Sequence, residues 1–420
     1  MDKFVIKGGR KLKGSVEVSG AKNASLALMP ASLLAQGESI LSNTPELNDV
    51  YTMIKLLTFL GAECSFEGHT LKVNTGNITS LEAPYEHVKK MRASVYVLGP
   101  LLARYGKAKV SLPGGCAWGP RPINLHLEAL EKMGAEIELD SGYIMASAKK
   151  LKGAKINFDI SSVGATGNTL MAASLAKGNT VINNAAMEPE ITNLAEFLVK
   201  MGAKISGIGT STLEIEGVNE LSSVNMETIP DRIEAGTLLV AGAVTGGNIT
   251  LKKIRPGYLQ AVISKLEDSG CTITSGDNSI SLTRAGRIKP VNVSTSIFPG
   301  YPTDMQAQWI AYMSLAAGVS TITDTIYIDR FKHVPELLRL GADITVSENS
   351  AVVKGVKQLN GAKVMSTDLR ASASLVLAGL AAEGETEVLR VYHLDRGYQR
   401  IEEKLKSLGA EIERVAGAEY

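Results

Sequence analysis

The stretch SLPGGCAWGPRPINLH, residues 111–126, places a thiol and a guanidinium five positions apart, at Cys116 and Arg121. Its three prolines and three glycines predict a loop, because these residues interrupt helices and strands. A thiol beside a positive charge has a lowered pKa and serves as a proton donor or nucleophile. We therefore expect Cys116 to be reactive. A packing role suits the other two cysteines better, since Cys64 lies in a predicted strand and Cys271 follows a predicted helix end.

Six internal repeats must position these groups. A helix end of the form xGAx, with SGCT as its one variant, recurs at intervals of 68 to 73 residues, at Gly61, Gly134, Gly202, Gly270, Gly341 and Gly409. Each glycine predicts a left-handed helix cap, and the segment after it reads as a strand. A second series of helices, such as GNTLMAASLAKG, is apolar on all sides and should be buried. The chain is therefore predicted to contain six α/β units of about 70 residues, each with one buried and one amphipathic helix.

The two ends of the chain do not match this repeat. The last unit stops at AEIERVAGAEY, one strand short of the others, while KFVIKGG and GSVEVSG at the beginning read as strands with no helix before them. We expect the N-terminus to complete the sixth unit. Six units exceed a single core, so two domains are predicted, comprising residues 22–229 and residues 1–21 with 230–420.

Charged residues recur at the predicted starts of the buried helices. The aligned positions are Lys22, Arg92, Gly164, Arg232, Asp304 and Arg370. Helix N-termini attract anions, so these positions predict a cleft between the domains for a small anion bearing phosphate or carboxylate groups. Helix capping alone explains Asp304 or Asp368 equally well. Arg92 and Arg232 can also be read as solvated surface charges.

Eight segments together resemble the enolpyruvyl transferase family, in particular the branch that acts on UDP-N-acetylglucosamine in peptidoglycan synthesis. They are SGAKNASL, PGGCAWGPRPINLH, SVGAT, NAAMEPEI, PTDMQAQ, DRFKHVPEL, TDLRASASLVLAGL and YHLDRGYQRIEEKL. The resemblance implies two inside-out α/β barrels, each of three βαβαββ-type units around buried helices. It also implies transfer of the enolpyruvyl group of phosphoenolpyruvate to the sugar 3′-hydroxyl, through a tetrahedral ketal that eliminates phosphate. Neither a metal nor an organic cofactor is implied.

The resemblance also assigns roles to individual residues. Cys116 is implied as the acid that protonates the methylene carbon, or as a covalent participant, Asp304 as the carboxylate near the sugar hydroxyl, and Lys22 as a third catalytic residue. Phosphoenolpyruvate carries two anionic groups and needs several fixed cations. The implied phosphoenolpyruvate site is Lys22, Asn23, Arg121, Arg370 and Arg396. The implied nucleotide-sugar site is Asn23, Arg92, Arg121, Pro122, Ile123, Asn124, Leu125, Ser161, Ser162, Val163, Gly164, Asp304 and Ile326.

Two positions depart from the pattern of the family. Ile160 stands where some members have a lysine, which removes a cation near the diphosphate, and Asn124 stands where aspartate is frequent. We expect both changes to affect nucleotide affinity and not the reaction. Arg330 either lines the cleft or braces it, and His126 either orients the loop or fills a polar pocket.

Composition and charge argue against a nucleic-acid-binding, membrane-spanning or secreted protein. A net charge of +1 over 420 residues argues against a nucleic-acid binder, including an RNA-end-processing enzyme built on similar repeats. No apolar run is long enough to span a membrane, and the first residues lack the apolar core of a signal peptide. We expect a cytoplasmic protein with free thiols, small-molecule substrates and no obligatory protein partner. Two alternatives stay open: transfer to shikimate 3-phosphate, and a non-catalytic protein that binds UDP-sugars.

Overall fold

The computed structural model describes residues 2–112 and 123–416. The chain divides into two compact units, with the boundaries between Ser19 and Gly20 and between Ile229 and Pro230. We call the unit that starts at Gly20 the N-terminal unit. The C-terminal unit combines the first residues of the chain with those from Pro230 onward.

Twenty-four strands occur in the described residues. The first twelve are β1 Lys3–Lys7, β2 Lys13–Glu17, β3 Glu38–Ser42, β4 Glu63–Glu67, β5 Thr70–Asn74, β6 Glu82–Ala83, β7 Lys107–Ser111, β8 Glu136–Asp140, β9 Tyr143–Ser147, β10 Lys155–Asn157, β11 Asn179–Asn183 and β12 Lys204–Ser206. The remaining twelve are β13 Thr212–Glu216, β14 Asn225–Glu227, β15 Asn248–Lys252, β16 Cys271–Gly276, β17 Ser279–Arg284, β18 Val293–Ser294, β19 Val319–Thr323, β20 Asp343–Ser347, β21 Ser350–Lys354, β22 Lys363–Met365, β23 Glu385–Leu389 and β24 Glu411–Val415.

These strands form six four-stranded sheets within the described part of the chain. The N-terminal unit contains the orders β14-β3-β5-β4, β6-β7-β9-β8 and β10-β11-β13-β12, and the C-terminal unit contains β16-β17-β15-β2, β18-β19-β21-β20 and β22-β23-β1-β24. Every sheet has one parallel pair at an edge and two antiparallel pairs. Strand β1 lies between β23 and β24, antiparallel to both, so the start of the chain completes the sixth repeat.

Helices connect and fill these sheets. The α-helices are α1 Lys22–Ala31, α2 Asn48–Leu60, α3 Tyr85–Val88, α4 Leu98–Tyr105, α5 Asn124–Lys132, α6 Val163–Ser174, α7 Pro189–Lys200, α8 Arg232–Val244, α9 Gln260–Asp268, α10 Gln306–Met313, α11 Val334–Arg339, α12 Leu369–Ala381 and α13 Ile401–Ser407. Short 3-10 helices are Ser32–Leu34, Arg92–Val97, Pro256–Leu259, Thr303–Met305 and Val391–Arg396.

Each unit has its own apolar core around its buried helices. In the C-terminal unit, α8, α10 and α12 pack against one another, and the large side chains of Trp309, Tyr312 and Tyr398 are fully buried there. In the N-terminal unit, α1, α4 and α6 with their adjoining 3-10 turns occupy the corresponding place. The predicted fold of two inside-out α/β barrels built from six repeats is confirmed.

The repeat glycines end helices as their spacing predicts. Gly61 follows α2 with φ of 107°, and the other five glycines of that series also have positive φ, between 88° and 99° or at 109°. Only glycine adopts this left-handed conformation without strain from a side chain. Each unit therefore needs a glycine at the end of its amphipathic helix, and the spacing of these glycines gives the repeat period.

Candidate active site

The carboxylate of Asp304 is bound by two arginines in the C-terminal unit. Asp304 lies in the 3-10 helix Thr303–Met305, directly before α10. Its Oδ1 accepts a hydrogen bond from Nη2 of Arg330 at 2.7 Å, and its Oδ2 accepts one from Nη2 of Arg370 at 2.9 Å. Hydrogen bonds between ionised groups are stronger than neutral ones, so the two guanidinium groups hold the carboxylate in one orientation.

The positive charges of Arg330 and Arg370 keep Asp304 ionised. Burial raises the pKa of its carboxyl, but the charges and hydrogen bonds of Arg370 and Arg330 together outweigh burial and bring the pKa well below its usual range. The Asp304 side chain keeps 27% of its surface exposed, while that of Arg370 keeps 5%. A partly accessible anion supported by buried cations can accept a hydrogen bond from a bound hydroxyl.

Arg370 is held from several sides at the start of α12. Its guanidinium lies 5.3 Å from the ring centroid of Tyr398, and the Tyr398 hydroxyl in turn lies 2.9 Å from Oγ1 of Thr237. Burial lowers the pKa of Arg370, but the charge of Asp304, the charges of Tyr398 and Asp231 and the hydrogen bond to Asp304 together raise it by more, so Arg370 stays charged. Its Nη1 is buried and has no hydrogen-bond acceptor among the described residues. An unpaired buried donor is costly, so this atom favours an incoming anionic oxygen.

Capping explains one of the two aspartates considered in the sequence, but not the other. Oδ1 of Asp368 accepts hydrogen bonds from the backbone N–H groups of Arg370 and Ala371, at 2.9 and 3.1 Å, and so caps α12. Asp304 is not a cap, since Pro302 and Met305 occupy the cap positions of the 3-10 helix and of α10. The capping interpretation of Asp304 is therefore wrong.

In the N-terminal unit, Lys22 is the first residue of α1 and pairs with Asp49 of α2. Nζ of Lys22 lies 3.2 Å from Oδ2 of Asp49, and the two side chains are only 13% and 6% exposed. A buried pair of this kind fixes the lysine in one position. Asn23, the next residue, is exposed.

His126, Asn168 and Gly164 form a second polar group in the N-terminal unit. The Asn168 amide is oriented by the Gly99 N–H, which donates to its Oδ1 at 2.9 Å. Its Nδ2 therefore donates to Nδ1 of His126 at 2.8 Å, which leaves the histidine proton on Nε2. Burial and, to a smaller extent, the charge of Arg92 lower the pKa of His126 to about 4. His126 is thus a neutral, pinned side chain, and it lies beside Gly164.

The remaining predicted residues have diverse surroundings. Ser162 caps α6, its Oγ accepting from the Ala165 N–H at 3.3 Å, and Val163 and Gly164 are the first two helical residues. Arg92 begins the 3-10 helix Arg92–Val97, and Arg396 ends the 3-10 helix Val391–Arg396. Partly exposed positions are Arg92, Ile123, Ser161, Ser162, Val163, Gly164, Ile326 and Arg396.

The two positions where the sequence departs from the family lie in helix α5 and in the loop between β10 and α6. The Asn124 side chain is exposed, and its Nδ2 donates to Oε1 of Glu128 at 3.1 Å. Leu125 is buried in the apolar core of the unit. Ile160 is 67% exposed, a high value for a large apolar side chain.

Three predicted residues, Cys116, Arg121 and Pro122, lie outside the described residues. The other two cysteines have the environments expected of packing residues. Cys64 is partly buried in β4 and Cys271 is buried at the start of β16, and both are free thiols. Burial raises the pKa of each.

Sequence reasoning missed several partners of the predicted residues. Asp49 lies in the first turn of α2 and Asn168 lies inside the apolar helix α6, and neither was predicted as a site residue. Arg330 was predicted to line or brace the cleft, but its ion pair with Asp304 was not predicted. The available signal was a polar residue in an otherwise apolar, buried segment. Such a residue needs a hydrogen-bond partner, but the sequence does not show which residue that partner is.

Neither a metal cluster nor a membrane helix is present in the described residues. Between residues 2–112 and 123–416, no three His, Cys, Asp or Glu side chains are grouped so that they could hold a metal ion. In the same residues, no helix is long and apolar enough to cross a membrane.

Comparison with known proteins defines the class. Residues 6–405 match the family model described as EPSP synthase (3-phosphoshikimate 1-carboxyvinyltransferase). The chain therefore belongs to the EPSP synthase family of carboxyvinyltransferases. Its curated relatives include proteins named UDP-N-acetylglucosamine 1-carboxyvinyltransferase. That of Chloroherpeton thalassium is 60% identical, over 100% of this chain and 99% of the relative. That of Geotalea uraniireducens is 56% identical, over 99% and 100%. The resemblance drawn from the eight segments is confirmed.

Solved structures give the same class. The enolpyruvyl transferase NikO from Streptomyces tendae superposes with a TM-score of 0.89 at 25% identity, covering 99% of each chain. EPSP synthase from Acinetobacter baumannii superposes with a TM-score of 0.76 at 20% identity, covering 99% of this chain and 100% of that one, which supports the fold alone.

Proposed function

We propose that this protein transfers the enolpyruvyl group of phosphoenolpyruvate to the 3′-hydroxyl of UDP-N-acetylglucosamine and releases inorganic phosphate, the first committed step of peptidoglycan synthesis. The observation that carries the proposal is the 60% identity along the whole chain to a protein named for this reaction. The doubly bound Asp304 carboxylate supports it, because the reaction requires an anionic group that can take the proton of a sugar hydroxyl.

Phosphoenolpyruvate would be held by the cations predicted from the sequence. Lys22, Arg121 and Arg396 supply positive charge for its phosphate and carboxylate, with Asn23 beside them. Arg370 contributes through Nη1, which is buried without an acceptor in the described structure. An anion at this atom would draw the guanidinium partly away from Asp304 and make that carboxylate more basic when the donor is bound.

The chemistry is an addition followed by an elimination. In the addition, Asp304 takes the proton of the 3′-hydroxyl, the sugar oxygen bonds to the central carbon of phosphoenolpyruvate, and Cys116 gives a proton to the methylene carbon. In the elimination, the Cys116 thiolate takes a proton back from the new methyl group, the carbon–carbon double bond re-forms and the carbon–oxygen bond to phosphate breaks. The proton held by Asp304 passes to the departing phosphate. Every step uses only the two substrates and side chains of this chain.

Substrate contacts are proposed for both units. The segment Ser161–Gly164 at the start of α6 offers backbone N–H groups and a helix N-terminus to the nucleotide sugar. Arg92 and residues 121–125 in the N-terminal unit, and Ile326 in the C-terminal unit, complete that site. In the proposal the domains are residues 22–229 and residues 1–21 with 230–420, and the active site is the cleft between them.

The proposal includes a cytoplasmic location and small-molecule partners only. Cys64 and Cys271 are free thiols, as is usual where the surroundings are reducing.

Phosphate release from phosphoenolpyruvate tests the proposal. Release should require UDP-N-acetylglucosamine, and shikimate 3-phosphate should not replace it. An Asp304→Asn variant serves as the matched control, because it keeps the size of the side chain and removes the charge that accepts the proton. Release with shikimate 3-phosphate alone would assign the sister reaction. Binding of UDP-N-acetylglucosamine without any release would indicate a non-catalytic protein.

A further inference from the structure

Asp324 is a fully buried carboxylate directly after β19, with four hydrogen-bond donors around it. Its Oδ1 accepts from Oγ1 of Thr295 at 2.8 Å and from the backbone N–H groups of Ile326 and Tyr327, both at 2.9 Å. Its Oδ2 accepts from Oγ1 of Thr303 at 2.6 Å. A buried carboxylate with this many donors is rigid, because each of its oxygens is engaged.

The hydroxyl of Thr303 connects this carboxylate to the candidate active site. Since Asp324 only accepts, Thr303 must point its proton towards Asp324, and its oxygen then accepts from Nη1 of Arg330 at 2.9 Å. The other terminal nitrogen of the same guanidinium, Nη2, donates to Oδ1 of Asp304. The hydrogen bonds therefore run from Asp304 to Arg330, Thr303 and Asp324.

We propose that Asp324 is a positioning residue for the proton acceptor Asp304, acting through Thr303 and Arg330. This inference rests on the proposed function. An arginine side chain has many rotamers, and one carboxylate contact fixes only one end of its guanidinium. The Thr303 hydroxyl fixes the second terminal nitrogen, so the plane of the guanidinium, and with it the orientation of the Asp304 carboxylate, is set by the buried anchor Asp324.

The same carboxylate also fixes the backbone that follows it. By binding the N–H groups of Ile326 and Tyr327, Asp324 holds the turn that carries Ile326, a residue of the predicted nucleotide-sugar site. A role limited to this turn is the competing explanation. The two threonines separate the explanations, because Thr295 and Thr303 both donate to Asp324, but only Thr303 binds Arg330.

The experiment compares Thr303→Val, Thr303→Ser and Thr295→Val in the full chain. Valine keeps the shape of threonine and removes the hydroxyl, and serine keeps the hydroxyl. We expect Thr303→Val to lower kcat about tenfold, as for the loss of one hydrogen bond to a charged group, with KM values changed less than about threefold. Thr303→Ser should restore most of kcat. Thr295→Val should keep kcat within about twofold of the wild type, although it loses a bond to the same carboxylate.

Thermal unfolding of each variant accompanies the kinetics. Equal losses of melting temperature in the two valine variants, with kcat lowered only in Thr303→Val, support the positioning role. Unchanged kcat in Thr303→Val, or an equal loss of kcat in Thr295→Val, overturns it while wild-type turnover leaves the proposed function intact. Absence of wild-type phosphate release with UDP-N-acetylglucosamine overturns the proposed function and this inference together.

Discussion

At the scale of single residues, aspartates at the starts of buried helices perform different tasks. Asp231 and Asp368 accept hydrogen bonds from the first backbone N–H groups of α8 and α12. Asp304 is aligned in the repeats with Arg232 and Arg370 and not with these two caps, and it lies in a 3-10 turn that precedes α10. Its carboxylate is bound by Arg330 and Arg370 instead. Aspartates at the starts of these helices thus cap the helix in two repeats and belong to the candidate active site in a third.

Alkylation should discriminate among the three cysteines. Fosfomycin, an epoxide that carries a phosphonate, should modify Cys116 in preference to Cys64 and Cys271, and UDP-N-acetylglucosamine should accelerate the modification. Burial raises the pKa of Cys64 and of Cys271, so few of those thiols are ionised at neutral pH. Peptide mapping by mass spectrometry after a timed exposure measures the distribution.

A Cys116→Asp variant is the matched control for this experiment. It should resist alkylation yet retain part of the turnover, since a carboxylic acid also donates a proton. Modification spread evenly over the three cysteines would contradict the assignment of Cys116 as the reactive thiol.

His126 should make the stability of the protein depend on pH below neutrality. The pKa of His126 is lowered from 6.5 to about 4 by burial and the charge of Arg92, so the unfolded chain binds a proton at a higher pH than the folded chain does. As the pH falls from 6.5 to 4, the free energy of unfolding should therefore decrease. The decrease due to this residue should be about 3 kcal/mol, at about 1.4 kcal/mol per pKa unit.

Urea unfolding at a series of pH values measures this effect in the wild type and in His126→Gln. The variant should show a shallower dependence between pH 6.5 and 4, whatever its stability at neutral pH. Burial and the charge of Arg330 lower the pKa of His333 to about 3, and both proteins retain this histidine. It also makes the free energy of unfolding fall with pH, so the difference between the two proteins reports His126. Identical pH dependence in the two proteins would mean that His126 is not buried in its neutral form.

At the scale of elements, the start of α6 is packed directly on a helix neighbour. A Cβ added to Gly164 would lie 2.9 Å from Nε2 and 3.0 Å from Cε1 of His126. The histidine ring cannot turn away easily, because Asn168 binds its Nδ1. The helix that carries the predicted nucleotide-sugar residues thus needs glycine at this position for close approach to α5.

Gly164→Ala should therefore destabilise the protein by about 1–3 kcal/mol through overpacking. Differential scanning calorimetry or urea unfolding gives the difference from the wild type. Gly257→Ala is the matched control, because a Cβ at Gly257 would meet nothing within 4 Å and φ is not positive there. A Gly164→Ala variant as stable as Gly257→Ala would show that His126 moves freely.

At the scale of the whole molecule, the first residues of the chain belong to a sheet formed by the last ones. Phe4 pairs with Val388 of β23 on one side and with Arg414 of β24 on the other. Phe4 and Ile6 are fully buried in the C-terminal unit. Strand β1 is thus an interior strand. Its removal would leave β24 without any partner and β23 paired only with β22.

Deletion of residues 2–8 should destabilise the C-terminal unit selectively. Hydrogen exchange read by mass spectrometry should show lost protection in residues 230–416, with β23 and β24 most affected. The N-terminal unit serves as an internal control, because its three sheets contain no strand from the deleted segment. Loss of protection spread equally over both units would contradict this prediction.

The sequence by itself determined the repeats, the helix-ending glycines and the family. These are local properties: a helix cap needs a left-handed residue, a buried helix needs apolar residues on all faces, and both recur about every 70 residues. The motifs around Lys22, Asp304 and Arg370 were recognisable for the same reason, as short runs of fixed residue types.

The tertiary structure alone decided which side chains meet. Arg370 reaches Asp304 across 66 positions of the sequence, and Asp49 reaches Lys22 across 27. Asp304, taken alone, was compatible with a helix cap, and Asp324 gave no signal at all in the sequence. A buried charge needs a compensating partner within hydrogen-bond distance. The packing of elements that are distant in the sequence determines which group lies there. The local periodicity of the sequence does not show which residue this partner is.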